Sequence, residues 1–297
     1  MTSAAPPRRE CAHHLLYRVG AHTLAVDVYD EDAAEIFEST FDLLRCEPSS
    51  RNPQCSATVR SLWDGRLHAR FGRHALPLDA AARTPRLRVV YEAAREIVAR
   101  CASAQDGSLA LYGALIGTVG GAVLLLGPAG IGKSVLAIHA AQAGADFLGD
   151  ETALLGLRSG HVAAIARRPS LRESALDVLP AELRERVSPV SRAIQTERGR
   201  FWYALDEAAI GVRPCGAPHS LRAICLLNGR SQTFDMRPVA PREALPAVVQ
   251  RAYARPRELA QVAAVRKAIA HVPCFGVVVG APDQSARALL EGIDRCA

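Results

Sequence analysis

The sequence is poor in lysine and in aromatic residues. Lys133 and Lys267 are the two lysines among 36 basic residues in a chain of 297, and aromatic residues make up 5%. Nucleic-acid-binding surfaces typically combine basic clusters with interleaved aromatic side chains. No such cluster occurs here, and a formal net charge of +6 is mild for this length. The composition therefore argues against a nucleic-acid partner.

The sequence also lacks a long apolar segment free of helix-breaking residues. Residues 107–132 carry no charged side chain. A stretch of this length could cross a bilayer. This stretch contains Gly120, Gly121 and Pro128, however, and such residues interrupt helices. It divides into apolar runs at 109–116 and 122–126, each of the length of a buried strand. We expect two strands here and no membrane partner.

Zinc-binding and disulfide patterns are missing as well. The eight cysteines form no C-x-x-C pair, have no histidine at metal spacing and mostly lie in apolar patterns, which predicts reduced, buried thiols. Residues 1–18 lack the apolar core of a secretory signal, so we expect a cytoplasmic protein. The cysteines are Cys11, Cys46, Cys55, Cys101, Cys215, Cys225, Cys274 and Cys296.

The apolar pattern predicts a small α/β N-terminal domain over residues 1–103. Asp64 and Gly65 form a strong hairpin signal between two strands, and the polar segment 103–108 is the candidate linker. The predicted strands span 15–19, 23–28, 58–63 and 66–71, and the predicted helices span 31–46 and 86–102.

Residues 104–297 predict a second, larger α/β domain. A proline-rich segment, 158–219, is predicted to be irregular. The predicted strands span 109–116, 122–126, 146–148, 152–157, 221–227, 233–237 and 272–279. The predicted helices span 134–143, 241–253, 257–271 and 284–293.

A glycine-rich motif between a predicted strand and a predicted helix carries the main chemical signal. Residues 127–134 fit the pattern G-x-x-x-x-G-K-[ST], in which backbone N–H groups surround phosphate oxygens. Lys133 is expected to reach the β- and γ-phosphates of ATP, and Ser134 to bind Mg²⁺. A turn without a ligand is the alternative. The motif residues are Gly127, Pro128, Ala129, Gly130, Ile131, Gly132, Lys133 and Ser134.

Two acids follow the motif at the end of a short apolar run. Asp150 lies 17 residues after Lys133 and is followed by Glu151. Adjacent carboxylates repel each other, so one is suited to proton transfer while the other faces a metal. A polar strand end without function is the alternative.

The segment from Leu111 to Glu151 resembles the core of the HPr kinase/phosphorylase family, and the shorter HPr-kinase-related proteins in particular. The resemblance implies a P-loop core in which helices flank a mixed sheet, and an ATP- and Mg²⁺-dependent serine kinase. It implies that Asp150 is the catalytic base and that Glu151 binds the metal. Arg172 ends a Pro-x-Leu-Arg element similar to one in the related kinases, which makes it a candidate phosphate clamp. Arg198 and Arg200 are weaker candidates.

Three departures from the family bear on the mechanism. Tyr112 stands where the family has a histidine, the second acid is Glu rather than Asp, and the element associated with phosphorylase activity is not found. We predict a kinase acting on a seryl hydroxyl of a peptide or small protein, for which the C-terminal Ser of a lasso peptide precursor is one option. A small-molecule kinase and a non-catalytic nucleotide-sensing module stay open. The resemblance also implies a homo-oligomer.

Overall fold

The computed structural model describes residues 13–48, 52–62, 66–76, 78, 86–189, 202–205, 210, 218–254, 256 and 258–295. Over these residues the chain is a mixed α/β protein with two large sheets and a small one, which confirms the predicted α/β class. Arg198, Arg200 and the hairpin residues 64–65 lie outside the described residues.

The first sheet has five strands in the order β1-β2-β3-β4-β5, and all neighbours except the parallel pair β2–β3 run antiparallel. The antiparallel β3–β4 pair confirms the predicted hairpin partners. Helix α1 ends earlier than predicted because Phe41 leaves the helix to pack its ring 6.2 Å from that of Tyr17. The elements are β1 (His13–Val19), β2 (His22–Val28), α1 (Glu31–Thr40), β3 (Cys55–Ser61), β4 (Leu67–Phe71), β5 (His74–Ala75) and α2 (Arg86–Ser103).

The second sheet is mixed. Its order is β10-β9-β6-β7-β14-β16-β15, and β8 also pairs with β6. Strands β7, β14 and β16 run parallel, while β6 runs antiparallel to both β7 and β8. The strands are β6 (Ser108–Thr118), β7 (Gly121–Leu126), β8 (Asp146–Gly149), β9 (Thr152–Gly156), β10 (His161–Ala164), β14 (His219–Arg230), β15 (Asp235–Val239) and β16 (Cys274–Val279).

The charge-free run 107–132 therefore forms the strand pair β6–β7, as predicted. Within the described ranges, no helix combines the length and the apolar character needed to cross a bilayer.

Helices cover both faces of the second sheet. Apolar residues of α3 and α7 pack on one face, and those of α5 and α6 pack on the other. Burying both faces explains why the central strands are almost continuously apolar. The helices are α3 (Lys133–Gln142), α5 (Pro241–Gln250), α6 (Leu259–Ile269) and α7 (Pro282–Arg295).

The prediction of an irregular segment over 158–219 was wrong in part. It contains β10 and a three-stranded sheet in the order β11-β13-β12. Its prolines mark element boundaries, since Pro180 caps α4 and Pro189 ends β12. The further elements are β11 (Ser170–Arg172), α4 (Ala181–Arg184), β12 (Val187–Pro189) and β13 (Trp202–Leu205).

Helix α2 connects the two large sheets. It packs against β4 of the first sheet and against β6 of the second. The core of the first sheet also includes Leu154 and Ile165 from the later part of the chain. The division into domains at residues 103 and 104 stays a prediction.

Candidate functional site

The glycine-rich motif opens into a cleft of about 550 Å³. The cleft lies where β7, β14 and β16 end, at Leu126, Arg230 and Val279. Parallel strands place their carboxyl ends at one edge of a sheet, where open α/β folds bind ligands. Strand β8 shares this direction, because β7 and β8 both run antiparallel to β6. Its end therefore brings the acid pair to the same edge.

The backbone of the loop 127–132 requires glycine. A Cβ atom on Gly127 would lie 2.9 Å from the carbonyl oxygen of Leu227 in the neighbouring strand. Gly132 has φ +109° and caps helix α3 without a side chain. Residues 132–136 line the cleft, so the first turn of a ten-residue helix faces it. Free N–H groups and the helix dipole make this end favourable for anions.

Lys133 is held against the loop. Its Nζ donates to the carbonyl oxygens of Gly127, at 3.0 Å, and Pro128, at 3.1 Å. The same atom lies 4.1 Å from the ring centroid of Tyr112. Burial lowers the pKa of Lys133 to about 8, while the nearby charge of Asp150 opposes this shift. Tyr112 thus supplies an aromatic face for the ammonium group.

Asp150 lies beside the start of α3 and is 1% exposed. Its Oδ1 accepts a hydrogen bond of 2.8 Å from the backbone N–H of Glu151. Its Oδ2 is buried and makes no hydrogen bond of ordinary geometry among the described residues. Burial raises the pKa of this carboxyl, the Glu151 carboxylate raises it further, and the Ser134 hydroxyl opposes the shift. The structure therefore brings together Asp150, Ser134 and Lys133.

Glu151 has a different environment from its neighbour. Its Oε2 forms ion pairs with Arg167 and, at 2.7 Å, with Arg95. Arg167 also donates to the hydroxyl of Tyr91, at 2.7 Å. Burial alone would raise the pKa of Glu151, but the two guanidinium groups hold it below its ordinary value. Its role as a metal ligand stays a prediction, and its charge is already balanced by arginine.

The backbone of Glu151 is in the left-handed region, with φ +68°. This conformation costs about 1–3 kcal/mol for a residue other than glycine. The carbonyl oxygen of Glu151 accepts from the hydroxyl of Tyr253, at 3.0 Å, and from the N–H of Gly113, at 3.2 Å. Together with the ion pairs, these contacts hold the strained turn that separates the two acids.

Two arginines border the loop. Arg172, the predicted clamp, lines the cleft, and a Cβ on Gly130 would lie 3.8 Å from its Nη1. Arg230, at the end of β14, donates to the carbonyl oxygens of Ile131 and Gly130, each at 2.9 Å. The sequence reasoning missed Arg230. Its position three residues after the predicted strand 221–227 was the available signal.

Helix α2 contributes a further group that the sequence reasoning missed. Arg88, Glu92 and Arg95 all line the cleft and recur at helical spacing on one face. Arg88 pairs with Glu92, at 2.9 Å between Nε and Oε1. The polar face of α2 is typical of a solvated helix, so nothing in its pattern indicated a site.

Comparison with known proteins leaves the family open. No protein-family model matches the chain, and no curated protein matches it. A solved structure similar to it is that of the Hpr(Ser) kinase/phosphatase from Coxiella burnetii, with 11% sequence identity and a TM-score of 0.30. The match covers 63% of this chain and 94% of that one. So low a TM-score establishes no common fold.

Proposed function

We propose that the protein is an ATP- and Mg²⁺-dependent phosphotransferase that phosphorylates a seryl hydroxyl on a peptide or small protein. The observation that carries the proposal is the meeting of Lys133, Ser134 and Asp150 at the first turn of α3, beside a glycine loop. Phosphoryl transfer requires mainly positioning and charge neutralisation, and these residues supply both.

The side chains at the start of α3 fit a divalent cation that prefers hard oxygen ligands. The buried Oδ2 of Asp150 makes no hydrogen bond of ordinary geometry among the described residues, and the Ser134 hydroxyl lies near this carboxyl group. Carboxylate and hydroxyl oxygens are suitable ligands for Mg²⁺. When bound, Mg²⁺ supplies positive charge to the phosphate oxygens. In this arrangement Ser134 would hold the ion beside Asp150, the Oδ2 of Asp150 stays available to the attacking hydroxyl, and Glu151 is the weaker proposed ligand.

The loop and its neighbours would position the phosphates. The backbone N–H groups of 127–134 surround them, and Lys133 exchanges its carbonyl partners for phosphate oxygens. Arg230 and Arg172 present guanidinium groups at the rim, which suit bidentate phosphate contacts.

Asp150 is also the proposed proton acceptor for the attacking hydroxyl. A pKa raised by burial makes its carboxylate a stronger base than an exposed aspartate. The acceptor peptide would approach past the α2 face, where Arg88 and Glu92 offer exposed charges of both signs.

The burial of Asp150 favours a second candidate, a nucleotide-sensing module without chemistry. A carboxyl that is 1% exposed accepts a proton from a bound hydroxyl only if the site opens. A protein that binds a nucleotide and changes its conformation, without transferring the phosphate, would fit the same geometry.

The test uses γ-labelled ATP, Mg²⁺ and synthetic peptides that carry one serine, at the C-terminus or internally, with alanine peptides as controls. A cell extract serves as a second acceptor source. The products are sorted into labelled peptide or protein, labelled small molecules and free phosphate. We expect labelled serine peptide or protein, lost in Lys133→Ala and Asp150→Asn and retained in Lys267→Met, which alters an exposed lysine on α6.

The outcomes separate the candidate functions. Label in small molecules alone would favour the small-molecule kinase. Tight ATP binding without transfer or hydrolysis would favour the sensing module. Substantial turnover by Asp150→Asn would remove Asp150 as the base. The proposed homo-oligomer is tested separately, by light scattering of the full chain.

A further inference from the structure

Three side chains with soft ligand atoms converge in the first sheet, well outside the loop and the acid pair. His22 begins β2, Cys55 begins β3, and Cys101 lies in the last turn of α2. The imidazole nitrogen and the two sulfur atoms all lie within 4.8 Å of one another. Cysteine and histidine are borderline-soft ligands that select metals such as Zn²⁺ rather than Mg²⁺ or Ca²⁺.

The fold holds these residues in place independently of any ion. Cys55 is paired with Leu24 in the parallel β2–β3 ladder. The N–H of Gln54 donates to the carbonyl oxygen of Thr23, at 3.1 Å, and the N–H of Thr23 donates to Oε1 of Gln54, at 2.8 Å. Helix α2 packs across β2 and brings Cys101 to the same place. The arrangement is therefore preorganised by the sheet and the helix.

The distance between Cys55 and His22 matches a tetrahedral metal site, and the other two ligand distances lie within 4.8 Å. With Zn–S near 2.3 Å and Zn–N near 2.05 Å, two ligands of a tetrahedron lie about 3.6 Å apart for S and N, and about 3.8 Å for two S atoms. The observed distance from Cys55 Sγ to His22 Nδ1 is 3.7 Å.

The burial also suits a metal. Cys55 and Cys101 are 8% and 0% exposed, while His22 is half-buried. The two sulfur ligands are therefore shielded, and the imidazole side leaves access for an ion and for a fourth ligand from solvent. We propose that His22, Cys55 and Cys101 bind one Zn²⁺-class metal ion, with water as the fourth ligand.

Such a site would join the end of α2 to the first sheet. Cys101 lies on the same helix as Arg95, which pairs with Glu151 at the cleft. The ion would stabilise the helix that reaches the cleft, but the chemistry proposed for the cleft does not depend on it. Binding Zn²⁺ to two thiols and an imidazole releases up to two protons to solvent and involves no oxidation.

The test uses the full chain, reduced, stripped with a chelator and then titrated with Zn²⁺ in competition with a chromophoric chelator. We expect one equivalent of bound Zn²⁺ per chain and a rise in Tm with added Zn²⁺. Co²⁺ is the spectroscopic probe, since thiolate ligands give an intense charge-transfer band and tetrahedral geometry gives strong visible absorption.

The variants identify the ligands. Cys55→Ala, Cys101→Ala and His22→Gln should each lose stoichiometric Zn²⁺ binding and the Co²⁺–thiolate band of the site. Cys225→Ala is the matched control, because Cys225 is a fully buried thiol in β14 of the other sheet. His22 is half-buried, so His22→Gln keeps the test valid if a core cysteine variant fails to fold.

Three results would overturn the proposal. One is a wild-type chain that takes up no stoichiometric Zn²⁺. Another is full binding by the double variant His22→Gln/Cys55→Ala. The third is a reduced protein that binds no metal and instead forms a Cys55–Cys101 disulfide in air, seen by peptide mapping.

Discussion

The Nε atom of Arg95 lies 2.7 Å from Oε2 of Glu151, so a helix of the first 103 residues neutralises an acid of the second sheet. Arg167 approaches the same carboxylate from the chain that leaves β10. With both arginines largely buried, Glu151 stays ionised and its left-handed backbone is held in one position. The arginines therefore pair with Glu151, while the preceding residue, Asp150, lies near Ser134.

The first prediction concerns this buried cluster. Removing one partner of a buried ion pair typically costs about 3–5 kcal/mol, because the remaining charge is left uncompensated. Arg95 still faces Glu151 in Arg167→Met, so we expect a loss near the lower end, about 3 kcal/mol, in the free energy of unfolding. Urea denaturation measures it. Arg88→Met, at an exposed pair on α2, is the control and should change stability by less than about 0.5 kcal/mol.

The second prediction concerns the stability cost of Asp150. The pKa of Asp150 is raised in the folded state, so folding disfavours its charged form. The free energy of unfolding is reduced by the full amount when the pH is above the raised pKa. This reduction disappears as the pH falls toward the ordinary pKa of aspartate. We therefore expect Asp150→Asn to unfold at a higher Tm than wild type at pH 8, since Asn keeps the acceptor for the Glu151 N–H.

Comparing the Tm of the variant and the wild type at several pH values checks the direction of this pKa shift. The difference in Tm between Asp150→Asn and wild type should shrink as the pH is lowered from about 8 to about 5. An unchanged difference, or a less stable variant at pH 8, would show that Asp150 is not a strained buried charge.

The third prediction concerns nucleotide affinity and pH. In the free protein, burial lowers the pKa of Lys133 to about 8. A bound triphosphate favours the charged lysine, so affinity should be flat below this pKa and fall above it, by up to about tenfold per pH unit. Calorimetric titration with ATP measures the profile. Lys133→Met should bind more weakly and lose this slope, whereas Lys267→Met should retain it.

The fourth prediction concerns Arg230. Its guanidinium donates to Gly130 and Ile131 and borders the cleft, so it is placed to reach phosphate oxygens. We expect Arg230→Gln to reduce the rate of phosphoryl transfer by roughly 100-fold, in the range measured when one charge-stabilising donor is removed. ATP affinity should change far less. A variant that transfers phosphate at the wild-type rate would exclude Arg230 from the reaction.

The candidate site could be predicted only where neighbours in sequence are neighbours in space. The motif 127–134 contains its own strand end, loop and helix start, so local pattern was sufficient to predict the loop geometry around Lys133. The acids follow at the end of β8, which lies at the same edge of the sheet because β7 and β8 run in the same direction. Arg230 and Arg95 could not be found in this way, because β14 and α2 reach the cleft through long-range packing.

The same distinction applies to the cysteines. Spacing along the chain argued against a local zinc motif. Cys55 meets His22 through a parallel strand pair and Cys101 through a helix packed on it, which no spacing rule encodes.

Local patterns in the sequence were enough to specify the α/β class, most of the strands and helices, and the glycine loop with its lysine. These features depend on local periodicity and on backbone conformations that few residues adopt. Three features became visible only in the folded chain: which acid pairs with arginine, which arginine borders the loop, and which thiols meet a histidine. Those contacts depend on the register of strands and on helix packing, which bring together residues far apart in the chain.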